Sequence, residues 1–124
     1  MSDFKKLHVW RKAHALALNV HRVSGKMRGA EYASDRSQIR RAAKSIPTNI
    51  IEGRGQKSTR EQRRFLGYAI NSSSELEYHL IVAKDTQAIS KSDFLTLLND
   101  VIEVRKMLYG LLGRLSEKPA KARR

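Results

Sequence analysis

Gly53-Arg54-Gly55-Gln56-Lys57-Ser58 sets two glycines, a lysine and a hydroxyl side by side, the ingredients of a loop that cradles phosphate with its backbone amides. The order of the residues defeats that chemistry. No glycine immediately precedes Lys57 and the segment follows a helical pattern instead of a strand, so nucleotide hydrolysis is not expected. His14 and His21 share a helix face, but seven residues of rise separate them by about 10.5 Å, too far for one metal ion to bridge. His8 and His79 have no motif partner. Glu75 and Glu77 are two residues apart and point in different directions, a poor geometry for paired carboxylates. Ser72-Ser73-Ser74 reads as a small-residue crossing point between helices rather than as a nucleophile. The chain has no cysteine, which removes disulfides, thiolate metal sites and cysteine nucleophiles together. The expectation is a protein that is not an enzyme and uses no cofactor or metal.

What the residue types do support is attraction to anions. The formal net charge is +13 over 124 residues, and it is unevenly distributed. Residues 36–64 hold nine Lys/Arg against two acids, whereas residues 65–117 hold five against seven. Arg36, Arg40 and Lys44 recur every four residues and so form one exposed stripe, with Arg41 at its border. Arg54 and Lys57 flank the glycine loop, and Arg60, Arg63 and Arg64 extend it into the next helical pattern. A helix that starts near Ser58 would add free amides and a favourable dipole for a phosphate. These nine residues are the candidate nucleic-acid-binding surface.

Four helices must position them. The first pattern runs from about Phe4 to Ser24, with Leu7, Trp10, Ala13, Ala17 and Val20 on one face. After Gly25 and Gly29, a second opens with Ser34 as its N-cap and buries Ile39, Ala42, Ala43, Ile46 and Ile50 before it ends near Gly53. The third starts at Ser58, where Glu61 completes the capping-box spacing, and continues for about 28 residues, roughly 42 Å, through Leu66, Ala69, Ser73, Leu76, Leu80 and Ala83. The fourth begins near Ser90 or Ser92 and carries Phe94, Leu97, Leu98, Val101, Leu108, Leu111, Leu112 and Leu115. Long amphipathic helices with short connections predict an all-α, antiparallel up-down four-helix bundle over residues 1–117. Residues 118–124 lack an apolar pattern and are expected to form a disordered basic tail.

Pro47 falls inside the second pattern. An interior proline removes an amide donor and crowds the carbonyl four residues back, at about 3 kcal/mol if nothing compensates. Helical spacing resumes at Asn49-Ile50-Ile51-Glu52-Gly53, so the expectation is a kinked and supported helix, with Asn49 and Glu52 available to brace it.

The N-terminus lacks the unbroken apolar region of a signal peptide, and no stretch approaches the ~20 apolar residues of a membrane span. A cytoplasmic protein with no membrane partner is expected. Trp10 and the tyrosines are read as packing groups rather than base-stacking platforms.

Trp10 with its alanine-rich helix, the segment Gln38-Ile39-Arg40-Arg41-Ala42-Ala43-Lys44-Ser45-Ile46-Pro47-Thr48-Asn49-Ile50-Ile51-Glu52-Gly53, then Ser58, Glu61, Arg64-Phe65-Leu66 and Ser74-Glu75-Leu76-Glu77 together resemble the bundle proteins related to the 23S ribosomal RNA intervening-sequence protein. The resemblance spans nearly the whole chain up to the tail. It implies a bacterial cytosolic protein assembled into a closed homo-oligomer, a pentameric ring. The basic accessory proteins of diversity-generating retroelements are more distantly similar, and their association with nucleic acid transfers only as a class-level suggestion. Two readings of function remain. One is a nucleic-acid-binding oligomer, for RNA or DNA, that uses the phosphate-facing cations; the other is an oligomeric adaptor whose partner is an acidic protein. Burial of Arg40, Arg41 and Arg64 in salt bridges would favour the second.

Overall fold

A computed structural model describes the backbone of residues 3–122 and the side chains of residues 3–115; the side chains of the expected basic tail, residues 118–124, lie outside the described residues. Four long helices make up the fold: α1 (His8–Ser24), α2 (Ala33–Arg54), α3 (Thr59–Asp85) and α4 (Lys91–Ala122). Two short 3-10 turns, Phe4–Lys6 and Ala30–Tyr32, precede α1 and α2. There is no strand among the described residues. Helix α2 packs on α1 and α3, α3 on α4, and α4 back on α1, so every helix has two neighbours around one core.

Local chemistry explains most of the boundaries. Ser58 caps α3 as its spacing predicts, its hydroxyl accepting from the Glu61 amide at 3.1 Å. The Ser90 hydroxyl does the same for α4, accepting from the Asp93 amide at 2.9 Å. The first pattern is shorter than expected: Asp3 accepts from the Lys5 amide and holds Phe4–Lys6 as a separate 3-10 turn, and Arg11 donates to the Lys5 and Lys6 carbonyls. The expectation that Ser34 caps α2 is not met. Gly29, at φ 104°, turns the chain, and the Tyr32 amide already bonds the Gly29 carbonyl, so α2 continues directly out of a 3-10 turn without a side-chain cap. A non-glycine residue at that φ would be strained.

Pro47 does not end α2, which runs through it to Arg54. The braces are local. The Asn49 amide donates to the Ser45 carbonyl at 2.9 Å and to the Ser45 hydroxyl at 3.0 Å, while the Thr48 hydroxyl bonds the Lys44 carbonyl. Of the two braces anticipated from the sequence, Asn49 serves and the Glu52 side chain makes no such bond among the described residues.

The core confirms the apolar positions expected of α2 and α3: Ile39, Ala42, Ala43, Ile46 and Ile50 face Leu66, Ala69, Leu76, Leu80 and Ala83, all buried. Each Leu or Ile so removed from water contributes about 1.5–3 kcal/mol before entropy is counted. Small residues let α2 and α3 approach. The Ser45 and Ser72 hydroxyls meet at 2.7 Å, and a Cβ added at Gly53 would lie 3.2 Å from the Phe65 Cβ and 3.3 Å from the Gln62 carbonyl oxygen. Ser72-Ser73-Ser74 is therefore a crossing point, with the fully buried Ser73 hydroxyl turned back to the Ile70 carbonyl.

Candidate phosphate-facing surface on the second helix

The nine cations singled out by the sequence separate into three groups. Arg36, Arg40, Arg41 and Lys44 stay together, because four-residue spacing on α2 holds them on one side of the helix. With Ala33, Ser37, Ser45 and Thr48 they line an open concavity of about 640 Å³, and no carboxylate is among the lining residues. Arg54, Lys57 and Arg60 surround the α2–α3 turn instead. Arg54 lines a different hollow, with Leu7, Gly53 and Gln62. Arg63 and Arg64 are drawn toward the other half of the bundle, where Arg63 donates to the Leu112 carbonyl of α4 at 2.9 Å. Arg64 pairs with Glu61 at 3.6 Å and lies over the Phe65 and Tyr68 rings, 5.4 and 5.5 Å from their centroids.

Within the α2 group, two side chains are tethered and two are not. The Arg36 guanidinium donates to the Met27 carbonyl beyond the end of α1. Arg40 donates through Nε to the Ser24 hydroxyl at 2.7 Å and through Nη2 to the His21 carbonyl at 3.2 Å. His21 lies in the last turn of α1, where the carbonyls carry the negative end of the dipole, so Arg40 adds to the stability of that end, while Arg36 ties α2 to the segment that follows it. A guanidinium has further N–H groups, and those remain directed to other acceptors. The Arg41 and Lys44 side chains are exposed and make no hydrogen bond or ion pair among the described residues. The surface thus combines tethered charges with untethered ones.

The turn before α3 is less suited to an anion than its sequence suggests. The Ser58 hydroxyl is occupied in capping, and the Gln62 side chain donates through Nε2 to the Gln56 carbonyl at 2.8 Å to close the loop. Glu61, in the first turn of α3, brings its own negative charge to the same end. Lys57 and Arg60 are exposed there without a partner among the described residues.

Beside the α2 cations lies a feature the sequence reading did not anticipate. A pocket of about 300 Å³ opens between α1 and α2, lined by Trp10, His14, Ala17, Leu18 and His21 from one helix and by Arg40, Lys44, Pro47, Thr48 and Ile51 from the other. Trp10 and His14 stack at 4.9 Å with their planes 9° apart, and Leu18 is 57% exposed. The indole Nε1 is buried without an acceptor. The signal was present as Trp10, His14 and Leu18 at four-residue intervals, a second stripe flanking the one that fills the core. Among the described residues no group of His, Asp and Glu is placed to hold a metal ion.

Residues 5–110 match the model of the 23S rRNA-intervening sequence protein family. Comparison with curated proteins gives no match. Among solved structures, a protein of unknown function from the S23 ribosomal protein family of Bacteroides thetaiotaomicron VPI-5482 is similar, with a TM-score of 0.78 and 24% identity over 84% of this chain and 97% of that one. At that identity the likeness speaks to the fold.

Proposed function

The chain belongs to the 23S rRNA-intervening sequence protein family, and from that premise we propose that it is a non-enzymatic, oligomeric bundle that binds nucleic acid through phosphate contacts. One observation carries the reading: four cations and three hydroxyl-bearing residues line the concavity on α2, and no carboxylate competes with a ligand there. Arg36 and Arg40 are already oriented by their bonds to α1, so less side-chain freedom is lost when a phosphate arrives. Arg41 and Lys44 add exposed charge that attracts a polyanion and releases its counterions. RNA and DNA both present such phosphates. Contacts of this kind position a backbone and carry no sequence information.

The adaptor reading, with an acidic protein partner, has weaker support. Burial of these arginines in salt bridges would favour it, yet Arg40 bonds a hydroxyl and a carbonyl, Arg41 is exposed, and Arg64 meets Glu61 only at a half-exposed site. The up-down antiparallel arrangement is supported by the pairing order between α3 and α4: Lys84 lies over Phe94, Glu77 bonds Arg105, and Arg63 reaches Leu112. Assembly into a ring, pentameric as the resemblance implies, belongs to the same proposal; Tyr68, Tyr78, Leu95 and Tyr109, 42–62% exposed on α3 and α4, are apolar groups that a subunit contact would cover. A cytoplasmic location completes the reading; among the described residues no helix is long and apolar enough to cross a membrane.

The test is a fluorescence-anisotropy titration with a labelled oligonucleotide over a range of salt concentrations. Affinity should fall steeply with salt, with a log–log slope of about −0.9 per contact on duplex DNA and about −0.7 on single strands. Absence of binding even at low salt overturns the reading.

A further inference from the structure

We infer that the pocket between α1 and α2 receives an unpaired base, and therefore that the preferred ligand is a single-stranded nucleic acid rather than a duplex. The inference rests on the phosphate-binding reading and adds to it the form of the ligand.

The two concavities are one continuous surface. Arg40, Lys44 and Thr48 line both the cationic concavity and the apolar pocket, so a phosphate held by Arg40 or Lys44 lies at the pocket's rim. Beyond that rim the lining is mostly apolar and includes one aromatic pair, with Phe4 packed edge-on against Trp10 at 5.1 Å. Helix α1 contributes the parallel Trp10–His14 stack, Ala17 and Leu18, and helix α2 contributes Pro47 and Ile51. A nucleotide has this polarity, an anion joined to a flat π-system.

Size selects among possible occupants. The volume, about 300 Å³, is at the bottom of the range of roughly 300–1,000 Å³ for small-molecule pockets, which suits one ring system. An amphipathic helix, about 10 Å across with its side chains, would need a longer trough. A duplex keeps its bases stacked and paired and so can offer only phosphates to Arg40 and Lys44. A single strand can do both, because its bases are free to turn out and stack on aromatic side chains. Pro47 adds an apolar ring to the α2 wall.

Trp10 is the chain's single tryptophan and lines this pocket, so its emission responds to an occupant there. The experiment titrates the full chain with a short single-stranded oligoribonucleotide, the same strand made abasic, and a duplex, following both label anisotropy and Trp10 emission. The single strand should bind about 5- to 150-fold more tightly than the abasic strand, the range expected for stacking one base, and it alone should change Trp10 emission. Leu18→Gln, at an exposed position, should remove most of that difference. Equal affinities for all three ligands with unchanged Trp10 emission overturn the base pocket and leave the phosphate reading standing. Failure of all three to bind at low salt overturns the phosphate reading itself.

Discussion

The α2 face and the α3–α4 face of this bundle draw on the same kinds of charged residue and use them in opposite ways. On α3 and α4, Arg105 bonds Glu77 at 2.7 Å, Lys84 lies near Asp85 at 3.4 Å, and Glu103 takes Lys12 from α1 at 3.1 Å. That face neutralises its charge and leaves tyrosines exposed. On α2, the arginines bond carbonyls and a hydroxyl, so their positive charge is oriented without being cancelled. A capping arginine leaves its charge uncompensated, whereas the charge of an ion-paired arginine is offset by its carboxylate. Counting Lys and Arg over residues 36–64 therefore overstates the surface: Arg63 and Arg64 belong to the other half, and the region that can gather phosphate is narrower and purer in sign.

The contrast can be broken most completely through the core that both faces share. Leu76 is fully buried on α3, and Leu76→Ala should cost about 2–5 kcal/mol in denaturant unfolding, with both faces melting in one transition. Separate transitions would mean that the two halves fold independently. The next effect concerns the charge contrast directly. Arg41→Glu combined with Lys44→Glu should weaken oligonucleotide binding at least ~100-fold at 0.1 M salt, since each contact is worth about tenfold there. Reversing the exposed Lys106 and Arg114 of α4 changes the net charge by the same amount and should weaken binding by less than about tenfold. Equal losses would show that only net charge matters. The smallest effect belongs to the half-exposed Lys12–Glu103 pair between α1 and α4, 40% and 53% exposed. Glu103→Gln should change stability by no more than about 0.2–1 kcal/mol, and the change should vanish at high salt. A larger loss would give that face an electrostatic role beyond a screened surface pair.

Much of the helical framework could be read from the chain because it depends on neighbours in sequence. The capping box at Ser58 and Glu61, the serine at the start of α4, and the periodic positions of α2 and α3 are local devices that need no knowledge of the partner helix. The reading was incomplete where two partners act at once. Helix α1 touches both α2 and α4, so its buried arc is wider than one stripe, and Val9, Leu16 and Val23 are buried beside the expected Ala13, Ala17 and Val20. Val104 on α4 was missed for the same reason. The start of α2 was misassigned because Ser34 is a good cap only if the chain arrives extended, and Gly29 delivers it already turned.

By itself the sequence determined the all-α class, the continuation of α2 past Pro47 and the grouping of Arg36, Arg40, Arg41 and Lys44, since helical periodicity is a property of the backbone that any single segment expresses. It also contained the reason for Gly53, although only the packed structure shows it, in the 3.2 Å that a Cβ there would leave to Phe65. Tertiary structure alone decided which cations keep their charge available and what lies beside them. Arg40 meets Ser24, Arg63 meets Leu112, and Trp10 stands across from Pro47 because helices distant in sequence dock through their apolar faces. A side chain's partners are set by that docking, which no spacing within one helix can specify.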